Sequence, residues 1–211
     1  KVAEWIRFNL NGWTRVKDGW LPTGAWWDMR SKASFRTDAE IWEDDPEIPA
    51  GSTIYVAVDA AKKRDTSACV WAARLPNGRI AVRARVWSAR DTVPHHVFVQ
   101  GGRIRNSLVE SFIINTLAQH YRIAEVVYDQ RYFDTQGENL ADAGLTVAEF
   151  PQASGLMADA YQHFYEAAIE RTMTHTGDPV FAAQVAAAAA VLTEHGWKVF
   201  KLQSTEPIDC V

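Results

Sequence analysis

Three aspartates in this sequence are placed alike. Asp59 closes the apolar run from Thr53 to Val58, Asp129 closes the run from Ala124 to Tyr128, and Asp209 follows the run from Trp197 to Leu202 after a short loop. A single strand-end aspartate is ordinarily a solvated turn residue. Carboxylates at the ends of neighbouring strands, however, can converge on one point although they lie far apart in the chain. A cluster of acidic oxygens without imidazole or thiolate suits hard cations such as Mg²⁺ or Mn²⁺. Two such ions about 4 Å apart stabilise the attacking and leaving oxygens of phosphodiester hydrolysis. Clustered carboxylates also repel one another, which favours a cation between them.

Basic side chains supply a second part of such a site. Lys62-Lys63-Arg64 falls in the turn directly after Asp59, with Asp65-Thr66 opening the next run. Arg79, Arg83 and Arg85 share one face of a strand by period-2 alternation, and Arg103, Arg105 and Arg131 flank loops near the later elements. Contacts of this kind to phosphates position DNA without reading its sequence, and ordinary solvated surface is the competing reading. The histidines His95, His96, His120, His163, His175 and His195 show no H-E-x-x-H and no zinc-finger spacing. His163 or His175 could assist proton transfer, against a plain structural role. No G-x-S-x-G nucleophile elbow is present, and Gly101-Gly102 is a loop hinge.

The elements that must position these residues alternate in type. Strands are expected from Thr53 to Asp59, Ser67 to Leu75 and Arg79 to Trp87, with Pro76-Asn77-Gly78 as a hairpin turn. Helical spacing runs from about Ile104 to Tyr121, followed by a strand from Ala124 to Tyr128. A helix around Thr135 to Ala143 stops at Gly144, and Leu145 to Phe150 reads as a strand. Ser154 is placed to N-cap a helix carrying Met157, Ala160, Tyr161, Phe164 and Ala168 on one face. The alanine-rich stretch from Val180 to Thr193 predicts a helix, and Trp197 to Leu202 a last strand. Antiparallel-looking strands followed by strands separated by helices make a mixed α/β sheet flanked by helices.

Residues 51–211 are thus expected to form one domain, preceded by a distinct arm. Six of the nine tryptophans (Trp5, Trp13, Trp20, Trp26, Trp27 and Trp42) lie in residues 1–50. Such an arm is too short to fold alone and should pack on a neighbour. The acidic, proline-punctuated run from Glu43 to Pro49 reads as a connector. The formal charge of -4 leans slightly against a nucleic-acid role, since bulk electrostatic binders are usually basic, so any DNA binding is expected from local basic patches. Cys69 and Cys210 are far apart and in no ligand spacing, as expected of a reducing compartment. No signal peptide or long apolar run appears, so a soluble intracellular protein without membrane contact is expected. The chain opens at Lys1 in mid-stride and stops just after Asp209, as an excised fragment would.

Several of these segments resemble the nuclease half of tailed-phage large terminase subunits, an RNase H-like family. Val56-Ala57-Val58-Asp59 with the polar turn to Asp65-Thr66 is similar to the family's first acidic motif, and Val126-Val127-Tyr128-Asp129 to its second. Gln152 to Ala160, His175-Thr176-Gly177-Asp178-Pro179 and Lys198 to Asp209 resemble the closing section, where an Ile-Asp pair supplies the third carboxylate. The arm from Arg7 to Trp13, with Trp20 and Trp26, is similar to the segment leaving the ATPase domain.

The resemblance covers nearly the whole chain. It implies Asp59, Asp129 and Asp209 as catalytic metal ligands for two Mg²⁺ or Mn²⁺ ions, with Asp65 as an auxiliary carboxylate. Lys62, Lys63, Arg64, Arg83, Arg85 and Arg131 become the expected DNA contacts. The implied activity is endonucleolytic cutting of double-stranded viral DNA during genome packaging in the host cytoplasm, alongside a portal and a small terminase subunit. The chain lacks a G-x-x-x-x-G-K-[ST] phosphate loop, so the ATPase domain is expected outside it. The family continues past its third aspartate into a helix, whereas only Cys210 and Val211 follow Asp209, so a weakly anchored Asp209 is expected. The alternatives are a non-catalytic DNA clamp of a packaging motor and another RNase H-like nuclease, such as a resolvase. A phosphotransferase of the actin/hexokinase type would need glycine after the strand-end aspartate, where Ala60-Ala61-Lys62 stands.

Overall fold

The structure, a computed structural model, describes residues 19–31, 45–61, 66–88, 97–99, 103–151, 153–194, 196–201 and 207–211. A short helix, α1 (Ala25–Asp28), precedes the sheet. Three antiparallel strands then form a meander: β1 (Thr53–Asp59), β2 (Thr66–Arg74) and β3 (Ile80–Ser88). β-Branched and aromatic residues drive all three, because they pack well on a pleated surface. The β2–β3 hairpin closes at Pro76-Asn77-Gly78, where Gly78 takes the positive φ of 84° that only glycine adopts without strain. In β1, Ile54, Val56 and Val58 are buried on one face, while Tyr55 and Ala57 on the other are exposed.

β4 (Val97–Phe98) adds to the outer edge of β3. α2 (Asn106–Phe112) runs through a π-helical turn (Ile113–Leu117) into α3 (Ala118–His120). This single rod returns the chain to β5 (Arg122–Tyr128), which pairs parallel to β1 in the middle of the sheet. α4 (Gln130–Asp142) leads to β6 (Val147–Glu149), parallel to β5. α5 (Ser154–Ile169), β7 (Met173–Thr174), α6 (Pro179–Ala187) and the hairpin β8 (Ala188–Thr193)–β9 (Gly196–Lys201) complete the order. The main sheet has seven strands in the order β4-β3-β2-β1-β5-β6, with β7 beside β3.

A core forms on each face of the sheet. One gathers Val56, Trp71, Trp87, Phe112, Ile113, Leu117, Phe133 and Leu140, and joins α2 and α4 to the strands. The other gathers Trp26, Met29, Val82, Ala84, Val86, Ala168, Phe181 and Val185. Trp20 and Trp26 of the N-terminal arm pack on Phe164 of α5, at ring separations of 5.1 and 6.4 Å. Trp26 also stacks on His175 at 3.9 Å.

The local structure departs from the sequence expectations at three places. Ala188–Thr193 is a strand, not the end of an alanine helix, because it pairs along its full length with Gly196–Lys201. Tertiary pairing overrides an intrinsic helix preference of a few tenths of a kcal/mol per residue. α4 starts at Gln130, about five residues earlier than its apolar spacing suggests, because Asp129 caps it. Ser154 is the first helical residue of α5, and Ala153 holds the N-cap position.

Candidate metal centre

Two of the three aspartates emerge side by side. β1 and β5 are parallel with Val58 opposite Tyr128, so the next residue of each strand, Asp59 and Asp129, leaves the sheet at the same end. By the two-residue period of a strand, Asp59 lies on the face of Ala57, and Asp129 on that of Val127. Ala57, Val127, Asp59 and Asp129 all line a cavity of about 350 Å³ beneath α5, with Met157, Ala160 and Tyr161 opposite them. Asp129 also caps α4: its Oδ1 accepts the Arg131 amide at 3.0 Å. That bond ties one carboxylate oxygen to the backbone and sets the side chain's direction.

Asp209 reaches the same cavity from the C-terminal turn. Its Oδ2 accepts the backbone N–H of Thr66 at 3.2 Å and the Thr66 hydroxyl, while Oδ1 faces Lys201 Nζ at 4.0 Å. Behind it, the buried side chain of Gln184 donates to Thr66 Oγ1 at 3.4 Å and accepts the Cys210 amide at 2.8 Å. The expectation of a weakly anchored Asp209 therefore contrasts with a carboxylate held from two elements.

The electrostatics agree with this convergence. Burial first, and the Asp59 carboxylate second, push the Tyr161 phenol above its usual range. The Cys210 thiol is raised by burial and then by Asp178, Asp209 and Asp59. Asp178, nearly fully buried, N-caps α6 by accepting Val180 and Phe181 amides at 2.8 and 3.1 Å. Pro179 occupies the first helical turn, where its missing N–H costs nothing.

No imidazole among the described residues lines this cavity, and burial keeps its one thiol there, Cys210, protonated, so the donors offered are carboxylate oxygens, which match the preference of Mg²⁺ or Mn²⁺. Among the described residues, no three acidic, histidine or cysteine side chains come close enough to share one ion. Asp59, Asp129 and Asp209 thus border one cavity without closing a three-ligand shell. Asp65, Lys62, Lys63 and Arg64 lie outside the described residues.

The arginines divide sharply. Arg83 is 1% exposed and forms a bidentate pair with Asp45, Nε to Oδ2 at 2.6 Å and Nη2 to Oδ1 at 2.9 Å. It also reaches Glu47 Oε2 at 3.0 Å, and Asp45 accepts the amides of Glu47 and Ile48. The arginine-bearing face of β3 is therefore an interior face, and the expectation of Arg83 as a phosphate contact is corrected. Part of the supposed connector, Asp45 to Ile48, is docked against the sheet. Arg85 is half-buried, with its guanidinium 4.8 Å from the Phe112 ring, and Arg79 donates to the Met173 carbonyl at 2.6 Å. Arg103, Arg105 and Arg131, by contrast, are exposed and line a polar groove of about 630 Å³ between the starts of α2 and α4.

Of the histidines, His175 is buried with both nitrogens occupied: Nε2 donates to the Trp26 carbonyl at 2.7 Å and Nδ1 accepts the Gly177 amide at 3.0 Å. His163 is exposed on α5. The sequence marks Thr66 only as part of a motif and Tyr161 only as part of a helix face, and gives Gln184 and Lys201 no site role. The available signal for Gln184 was its isolation in the apolar run from Val180 to Leu192, since a polar group there must find partners.

A central parallel β1–β5 pair, an antiparallel β1–β2–β3 meander and flanking helices define an RNase H-like α/β fold. Among solved structures, it is the fold of phage large-terminase nucleases. The HK97 bacteriophage large terminase superposes with a TM-score of 0.69 at 18% identity, over 98% of this chain and 44% of that one. The large terminase nuclease of the thermophilic phage G20c gives 0.62 at 13% identity, over 92% and 94% of the two chains. The same nuclease with bound magnesium gives 0.58 at 12% identity, over 91% and 92%. This chain therefore spans under half of the HK97 protein and nearly all of the G20c nuclease. No protein-family model and no curated protein sequence matches it. Among the described residues, no helix is long and apolar enough to cross a membrane.

Proposed function

We propose that this chain is the nuclease domain of a phage large terminase, a two-metal-ion endonuclease that cuts double-stranded viral DNA during genome packaging. The observation that carries the reading is the register of β1 and β5, which brings Asp59 and Asp129 out together on the cavity that Asp209 also borders. Asp59, Asp129 and Asp209 would hold Mg²⁺ or Mn²⁺, with Asp65 auxiliary. The G20c nuclease carrying magnesium or cobalt supports a divalent ion. The bound ions would supply charge stabilisation at the scissile phosphate and an activated water.

The protein's own groups do the positioning. Thr66 fixes the direction of the Asp209 carboxylate, and the capping bond to Arg131 fixes that of Asp129. Arg131, Arg103 and Arg105 would contact backbone phosphates along the groove that Gln130 also lines, and Lys62, Lys63 and Arg64, which follow Asp59 in the sequence, would be further contacts. The ATPase half, the portal and the small subunit would be the partners, in the host cytoplasm.

A DNA clamp without catalysis is the second reading, favoured by the absence of a closed three-ligand cluster among the described residues. Supercoiled plasmid, incubated with EDTA, Mg²⁺ or Mn²⁺, separates the two. Cleavage only with metal, lost in both Asp59→Asn and Asp129→Asn, is the expected result. Cleavage that survives both substitutions would refute the site. A protein that retains plasmid but binds no Mn²⁺ in calorimetry would be a clamp.

A further inference from the structure

The buried amide of Gln184 lies outside every motif of the sequence, yet it bonds to Thr66 and to the Cys210 amide, the two neighbours of Asp209. It sits on α6, only 2% exposed, and both of its polar atoms are hydrogen-bonded. Its Nε2 donates to Thr66 Oγ1 at 3.4 Å, and its Oε1 accepts the N–H of Cys210 at 2.8 Å. Thr66 in turn donates its hydroxyl and its backbone N–H to Asp209 Oδ2.

We infer that Gln184 is the positioning residue for the third metal ligand: one amide sets both the backbone beside Asp209 and the direction of the Thr66 hydroxyl. The inference rests on the functional reading above, because it assigns Asp209 to metal.

The hydrogen-bond sense explains why an amide stands here. A hydroxyl has one proton and two lone pairs. With Gln184 donating into a Thr66 lone pair, the Thr66 proton is left to point at Asp209. The chain of donors then runs from Gln184 through Thr66 to Oδ2, while Oδ1 faces Lys201 Nζ at 4.0 Å. The same amide accepts Cys210 N–H, so the peptide following Asp209 cannot swing away without breaking a buried bond. Aligned donors in a low-dielectric interior also strengthen one another. Two segments far apart in the chain, the start of β2 and the C-terminal turn, are thereby held by one side chain.

The test measures Mn²⁺ binding to the full chain by calorimetry and by loss of the free-ion electron paramagnetic resonance signal, with no substrate present. Gln184→Met keeps the side chain's volume and removes both bonds. It should weaken Mn²⁺ binding by about 10- to 100-fold, the usual cost of losing an outer partner of a metal ligand. Thr66→Val should weaken binding similarly, while Thr66→Ser, which keeps the hydroxyl, stays close to wild type. The Gln184→Met/Thr66→Val double variant should be little worse than either single one, because both cut the same chain. Duplex DNA affinity in EDTA should be unchanged in all of them, as a merely unfolded or loosened domain would not allow.

Wild-type Mn²⁺ affinity in Gln184→Met overturns the inference. Should that variant not fold, Thr66→Val against Thr66→Ser decides, and equal affinities overturn it. Asp59→Asn separates the two levels of the argument. If the wild type binds Mn²⁺ and Asp59→Asn does not, the metal-site reading stands whatever Gln184→Met does. If the wild type binds no Mn²⁺, both readings fall.

Discussion

Replacing Asp45 with alanine tests whether the arginine row of β3 belongs to the interior. In the native fold Asp45 neutralises a guanidinium that is 1% exposed and also accepts two backbone amides, one of them on the buried Ile48. Removing it leaves Arg83 with the Val82 carbonyl at 2.9 Å and Glu47, whose side chain is 21% exposed and so solvent-screened. Breaking a buried pair from one side costs about 3–5 kcal/mol, because the remaining charge is uncompensated. The retained Glu47 contact places Asp45→Ala near the lower end of that range. For a domain of this size that loss lowers the melting temperature by about 10 °C. Urea unfolding of the wild type, Asp45→Ala, Arg83→Met and the double variant closes the cycle. The double variant should recover most of the loss, since it buries no lone charge. A loss below about 1 kcal/mol in Asp45→Ala, as measured for exposed pairs, would refute the buried pair. It would refute it fully if Arg83→Met also weakened DNA binding, because the guanidinium would then face solvent and phosphate.

Two further outcomes follow from the packing. Desolvation is the largest influence on His175 and lowers its pKa below the ordinary value of 6.5, so the folded state holds the ring neutral. A base with a depressed folded pKa contributes stability that is complete above the unfolded value and is lost as pH falls below it. Chemical denaturation should therefore show stability declining on acidification from about pH 6.5, a slope that His175→Gln removes; an unchanged slope in that variant would assign it to other groups. Gly137 lies in the middle of α4, where alanine normally gains about 1 kcal/mol. A methyl there would overlap the Tyr128 ring, 2.8 Å from Cε1, directly before Asp129. Overpacking should reverse the sign, with Gly137→Ala destabilising by about 1–3 kcal/mol and slowing plasmid cleavage; a stabilised, fully active variant would contradict this contact.

The strands of the central sheet could be read from residue order alone, because their signals are local. Thr53–Asp59, Thr66–Arg74 and Ile80–Ser88 follow from β-branched and aromatic runs broken by Pro76-Asn77-Gly78. Two of the three aspartates stood out for the same reason, as polar residues ending apolar runs. Their adjacency did not, since it depends on β5 pairing parallel to β1, a contact across about seventy residues of chain. Period-2 alternation correctly put Arg83 and Arg85 on one face of β3 but could not say that this face looks inward. Only the docking of Asp45 and Glu47 and the packing of α2 decided that. The alanine run shows the same limit from the other side: Ala188–Thr193 has helical residues in a strand because β9 lies beside it. Gln184 is the sharpest case. Its side chain has no chemistry of its own, and its role exists only because folding sets Thr66 and Cys210 at its two ends. Composition and periodicity determine which faces are apolar and where chains turn. Which buried faces meet, and so which polar groups must satisfy one another, is fixed by long-range packing alone.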